Sequence, residues 1–184
     1  MLTGLLFTLV AGTAVRLSVA DLVDRSDLCV EARVTAARSI LEPGPRIDTE
    51  YTLSVARTFW GEAQASRAIR LPGGVLPDGR GMVVPGLPGL AVGDDVILFL
   101  SKADAWGTRM PIGLAQGRML VATDLHGRKR IVRDQSGLDL ANPSTRTTLP
   151  ADERAVLEYA AAVADIEAAA AGKKARLRAE KGGR

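Results

Sequence analysis

One histidine, His126, and one cysteine, Cys29, are the whole supply of imidazole and thiol in the 184 residues. That supply excludes a histidine cluster, an internal disulfide, a cysteine-based metal site and a redox pair. His126 falls in Asp-Leu-His-Gly, a hairpin-turn sequence, and reads as a turn residue. Ser26, Ser39, Ser54, Ser66, Ser101, Ser136 and Ser144 have no histidine spaced with them in a nucleophile pattern. No Gly-x-Ser-x-Gly elbow, Walker loop or His-Glu-x-x-His helix occurs. Asp94–Asp95 follow Gly93 and open a strand, without the further acidic ligands of a calcium loop. Gly73–Gly74 with Arg80–Gly81 lack the following helix whose amides would hold a phosphate. Cys29 comes after the charged stretch 21–27, so it stands outside a lipobox and reads as an inert, partly buried thiol. The chemistry points to a binding module with no cofactor and no metal, not to an enzyme.

The elements that would shape such a module are short strands. Residues 51–121 alternate apolar runs with Gly/Pro turns. In 28–38, Leu28, Val30, Ala32, Val34 and Ala36 fall on one face, with Glu31, Arg33 and Thr35 on the other, the period-2 pattern of a half-buried strand. The turn Glu42-Pro43-Gly44-Pro45 predicts a hairpin with a second strand over 49–58. Further strands are expected at 67–71, 82–84, 94–100, 112–123 (interrupted by Gly113 and Gly117) and 128–133. Val-Ile-Leu-Phe-Leu in 94–100 predicts burial on both faces. A short helix is expected before the first strand, at 19–27. Strands of this length with glycine bends predict a mainly β fold, a small closed or nearly closed barrel, with a sandwich as the competing arrangement. The apolar fraction of 47% supports a core, and only 4% aromatic residues means that it is built of Val, Leu, Ile and Ala.

The two ends differ from this body. Residues 1–14 are uncharged and apolar and end in small residues, as a signal peptide does, with cleavage expected after Ala14 or Ala20. The run is shorter than the ~20 apolar residues of a transmembrane helix. The expected location is therefore periplasmic or secreted, or cytoplasmic if the run is not a signal. The barrel domain is expected over 21–140. A helix is expected over 150–172, with Ala151, Asp152 and Glu153 at its start and Gly172 as its stop. A basic flexible tail would follow at 173–184. The net charge of +3 belongs to that tail. Lys173, Lys174, Arg176, Arg178, Lys181 and Arg184 stand there against Glu180 alone, so the body is slightly negative and carries no footprint for nucleic acid. The tail predicts weak attraction to anionic surfaces, and polyanion binding is the alternative function.

The order of elements resembles the netrin-like, oligonucleotide/oligosaccharide-binding (OB) type barrel of the tissue inhibitors of metalloproteinases. The resemblance covers about 21–132. It lies in Ser26-Asp27-Leu28-Cys29-Val30-Glu31-Ala32-Arg33-Val34, in Phe59-Trp60-Gly61, in 93–100 and in Gly113-Leu114-Ala115-Gln116-Gly117. The chain also resembles exported bacterial proteins that carry Pro-Gly-Gly, Val-Pro-Gly-x-Pro and Gly-[Asp/Glu]-x-Val-[Ile/Leu]-Leu-Phe-Leu, here at 72–74, 84–88 and 93–100. The first likeness implies a small OB-like barrel with an N-terminal and a C-terminal helix, and a partner that is a protein, a metalloprotease included. The animal inhibitors chelate zinc through an N-terminal cysteine, and this chain cut after Ala14 or Ala20 begins at Val15 or Asp21. The expected recognition surface is the irregular stretch 72–93, with Trp60, Pro72, Gly73, Gly74, Arg80, Pro85, Leu87 and Pro88 as its protein-binding residues.

Overall fold

The computed structural model describes residues 12–87, 89–135, 138–142, 144, 145, 147 and 154–183. Strand β1 (Gly12–Val15) leads to helix α1 (Val19–Arg25). A capping box starts that helix: the Ser18 hydroxyl accepts from the Asp21 amide, and the Asp21 carboxylate accepts from the Ser18 amide. β2 (Leu28–Leu41) and β3 (Ile47–Trp60) then form the hairpin expected from the Pro-Gly-Pro turn. β4 (Ser66–Pro72) continues the meander. β5 (Gly74–Val75) and β6 (Gly81–Met82) make a two-residue ribbon. β7 (Asp95–Leu100), a 3₁₀ turn (Leu114–Gly117), β8 (Arg118–Thr123), β9 (Lys129–Asp134), β10 (Leu138–Ala141), β11 (Arg154–Glu158) and helix α2 (Tyr159–Gly182) complete the order.

Seven strands form one sheet in the order β11-β9-β8-β7-β2-β3-β4. Their pairings are antiparallel. β1 pairs with β10 in a separate parallel ribbon. The large sheet curls. Its β4 edge meets the loop after β7, where the Arg109 amide donates to the Arg70 carbonyl at 2.9 Å and Arg70 and Thr108 form a single parallel bridge. Among the described residues this contact is a single bridge, and the fold is mainly β with two helices, one of them C-terminal. No described helix is long and apolar enough to cross a membrane.

Period 2 in β2 divides the core into two compartments. Leu28, Val30, Ala32 and Val34 point into the concave side with Tyr51, Leu53, Ile69, Leu71, Val96 and Leu98. Cys29 points the other way, among Ile97, Phe99, Met119 and Ile131, under Leu22 and Val23 of α1 and Val163 and Ile166 of α2. β7 supplies both compartments, so Val96 to Leu100 are all fully buried, as its unbroken apolar run predicts. Cys29 is fully buried rather than partly, and burial pushes its thiol well above the ordinary range, so it stays protonated.

The interruption expected in 112–123 is the 3₁₀ turn before β8, and two other expectations change. Gly113, at φ +67°, starts the 3₁₀ turn, and Gly117 packs where a Cβ would lie 2.5 and 2.6 Å from the Ile112 backbone. Gly117→Ala should lower stability by about 2–3 kcal/mol in urea unfolding, because backbone atoms have no rotamer through which to yield. The C-terminal helix starts at Tyr159, not near 150. Residues 154–158 pair with β9, since a short apolar run fits either element and the open sheet edge decides it. Residues 151–153 lie outside the described residues. Lastly, 173–182 are helical and continue α2. An interior glycine such as Gly172 costs only about 1 kcal/mol, less than the contacts beyond it return. Lys173 is buried, and its ammonium donates to the Val23 and Ser26 carbonyls at the end of α1; Arg176 pairs with Asp24. At the other end of α2 the Tyr159 hydroxyl donates to both Glu31 carboxylate oxygens at 2.8 and 2.9 Å. Burial, then that hydrogen bond, pushes the phenol up to about 12.

Candidate functional site

The β2–β3 turn, β6 and the 101–110 loop surround a cavity of about 520 Å³. Its floor is built around Asp48, which is fully buried. The Arg46 guanidinium clamps that carboxylate with two parallel hydrogen bonds, Nε to Oδ1 at 2.9 Å and Nη2 to Oδ2 at 2.7 Å. The Thr108 hydroxyl donates to Asp48 from the facing loop. Burial alone would raise the Asp48 pKa, but these bonds outweigh it and hold the carboxyl below its ordinary value. The Asp48 hydrogen bond in turn raises Arg46, so the pair is ionised at any physiological pH.

The loop that delivers Thr108 is shaped by Asp104. Its Oδ1 accepts from the Trp106 and Thr108 amides, both at 2.9 Å, and Oδ2 lies 3.4 Å from Arg46 Nη2. This turn lays the Trp106 ring over Arg46, 5.2 Å from guanidinium carbon to ring centroid. Arg46 thus has its charge answered by two carboxylates and one ring face covered. The floor is charged and satisfied, and the walls are mostly apolar, Pro45, Pro72, Met82 and Met110, with Ser101 and the exposed Lys102 at the rim.

A smaller cavity of about 200 Å³ adjoins the first, sharing Pro72 and Met82 and reaching Tyr51, Leu71 and Leu87. It exists because β5 runs close over the hairpin. At Gly74, φ +143°, a Cβ would lie 2.2 Å from Thr49 Oγ1 and 2.5 Å from Ser39 Oγ, so only glycine fits. Around both cavities large apolar side chains are left in solvent: Val83 is 87% exposed, Val75 67%, Trp106 55%.

No family model matches the chain, and no curated protein and no solved structure is detectably similar to it.

Of the residues expected from the sequence, Pro72, Gly73, Gly74 and Leu87 line these two cavities. Arg80 is paired with Asp78 at 2.8 Å in the β5–β6 turn, and Pro85 is exposed in the next turn. Pro88 lies outside the described residues. Trp60 is not brought to them. It ends β3 beside Cys29, at the far end of that strand from Asp48, the register partner of Pro72. It lines a separate cleft against α2, with the Lys173 ammonium 4.4 Å from its ring centroid. His126 donates its backbone amide to Asp124 in the exposed β8–β9 turn. The residues that sequence reasoning missed are Arg46, Asp48, Asp104, Trp106, Thr108 and Met110. One signal was present: a tryptophan inside Ser-Lys-Ala-Asp-Ala-Trp-Gly-Thr, whose other residues are small or polar and form no apolar run to bury it.

Proposed function

We propose that this chain is a non-enzymatic binding module that takes a segment of a partner protein at the cavity between the β2–β3 turn, β6 and the 101–110 loop. One observation carries the reading. Four exposed apolar side chains (Val75, Val83, Trp106, Met110) border two adjoining cavities with apolar walls. Methionine walls adapt to varied partners, and an exposed tryptophan is a common interface anchor. The charged floor is already neutralised by its own ion pairs, which favours an apolar side chain as the occupant over a free ion.

The finer fold reading is a small OB-like, netrin-like barrel closing between β4 and the segment at 108–109. Its support is the Arg70–Thr108 bridge that joins the curled sheet to the loop after β7. The cavity then lies between the loops following the first and fourth long strands, positions at which OB barrels take ligands. The N-terminal apolar run supports an exported protein, and the resemblance of 26–34 to the metalloproteinase inhibitors makes a metalloprotease the first partner class to try. The polyanion alternative has less support, since Lys173 is buried and Arg176 is paired with Asp24.

The test is a peptide selection on the immobilised protein. Selected peptides should bind through an apolar residue and lose about tenfold or more in affinity to Val83→Asp and Trp106→Ala. Leu125→Ala, an exposed turn residue away from both cavities, should leave affinity unchanged. Peptides indifferent to the first two substitutions would refute the assignment.

A further inference from the structure

The cleft lined by Trp60 has a volume of about 620 Å³, within the range of about 300–1,000 Å³ usual for ligand sites. One wall is the end of β3, with Phe59, Trp60 and Gly61; the other is α2, with Ala170 and Ala171. Alanines on the helix leave a gap opposite two half-buried aromatic rings, flanked by Arg57 and Thr58 on the strand and Glu167 and Lys174 on the helix.

The charges at this cleft do not cancel. Arg57 is neutralised: its Nη1 lies 2.8 Å from Glu167, its Nε 3.9 Å from Glu31, and its guanidinium stacks over Phe59 at 5.6 Å. Lys174 lines the cleft, is exposed, and has no carboxylate within ion-pair distance among the described residues. Lys173 does not line the cleft; it is buried over the Trp60 ring with its ammonium donating to the Val23 and Ser26 carbonyls. One ammonium group without a carboxylate partner, at the rim of a slot lined by two aromatic rings and two alanines, fits one class of small molecule.

We propose that the cleft between β3 and α2 binds a monocarboxylate with an aliphatic or aromatic tail, the tail between Trp60 and Ala171 and the carboxylate on Lys174. This site is separate from the protein-binding cavity and does not depend on that reading. The tail removes apolar surface from water, and the carboxylate meets a cation whose charge no neighbour answers.

Octanoate, octan-1-ol and octylammonium titrated into the ¹⁵N-labelled protein test this. Octanoate should shift the Trp60 indole resonance and the amides of 57–61 and 170–174 saturably, while the Trp106 indole stays in place. Octanol should bind about fivefold to tenfold more weakly, and octylammonium more weakly still. Lys174→Ala should reduce octanoate to the level of octanol. Ala171→Leu, at an exposed helix position where leucine is well tolerated, should fill the slot and abolish both with the fold intact. Equal binding of the three probes, shifts mapping elsewhere, or octanoate binding unaffected by both substitutions would overturn the proposal.

Discussion

Asp48→Ala should cost about 4 kcal/mol of stability at pH 7, measured by urea unfolding. Asp48 is fully buried and Arg46 is mostly so, with 28% of its side chain exposed. Removing the carboxylate leaves a guanidinium at the cavity floor with only Asp104, at 3.4 Å, to answer it. It also leaves the Thr108 hydroxyl without its acceptor, and breaking a buried pair from one side carries the full desolvation penalty of the group that remains. The pH dependence follows from the lowered Asp48 pKa. An unfolded aspartate titrates near 3.9. The folded value lies below that, so the stabilisation is fully present above about pH 4 and is lost as pH falls through the folded value. The difference between wild type and Asp48→Ala should therefore be flat at neutral pH and shrink below pH 4. A cost under about 1 kcal/mol, or a difference unchanged at pH 2.5, would show that the network does not hold the floor. The same substitution should weaken selected peptides, because Thr108 and Arg46 fix the loop that carries Trp106.

The sheet was legible where one signal dominated. Alternation from Leu28 to Val34 told which residues face which compartment, and the unbroken run in β7 told of burial on both sides; both arise from local periodicity and need no partner to interpret. The Pro-Gly-Pro turn set the β2–β3 hairpin in the same way. What failed depended on contacts between distant residues. Val156 and Leu157 fit a helical face as well as a strand, and only the free edge of β9 decides between them. Lys173 read as part of a solvated tail because its acceptors, the Val23 and Ser26 carbonyls, lie about 150 positions earlier. A buried lysine has no local signature, since the carbonyls at the end of α1 that make its burial tolerable belong to another element.

The site shows the same division. Pro72, Gly73, Gly74 and Leu87, which irregular composition singles out, line the two cavities. The floor of the larger one is assembled by tertiary structure. Arg46 and Asp48 flank a turn and look like ordinary hairpin charges; what gives them a role is Thr108, 60 residues on from Asp48. Trp60 was grouped with the irregular stretch because both interrupt strands. The register of β3 with β4 separates them instead and places Trp60 under α2.

The N-terminal segment gives the other large expected effect. The two cleavage positions consistent with the sequence leave chains that begin at Val15 or at Asp21, and the two should differ by about 5 kcal/mol in stability. The Val15 chain keeps Leu17, which is buried, and Ser18, which caps α1. It also keeps the partners of Gln116. That side chain is almost fully buried; its Oε1 accepts from the Leu17 amide at 2.8 Å and its Nε2 donates to the Val15 carbonyl at 3.0 Å. The Asp21 chain loses all of these. The cap is worth about 1 kcal/mol, the leucine about 2, and a buried amide left with the Gly113 carbonyl alone, at 3.3 Å, about 2 more. Thermal unfolding of the two chains side by side measures the difference. Gln116→Ala should be nearly neutral in the Asp21 chain and costly in the Val15 chain, which separates this cause from a general loss of residues. Equal stability of the two chains would show that α1 and the 3₁₀ turn hold without the segment. A large gap means that, if the chain is processed on export, a cut after Ala14 removes the β1 pairing with β10 and keeps the packing around Leu17 and Gln116, whereas a cut after Ala20 removes both.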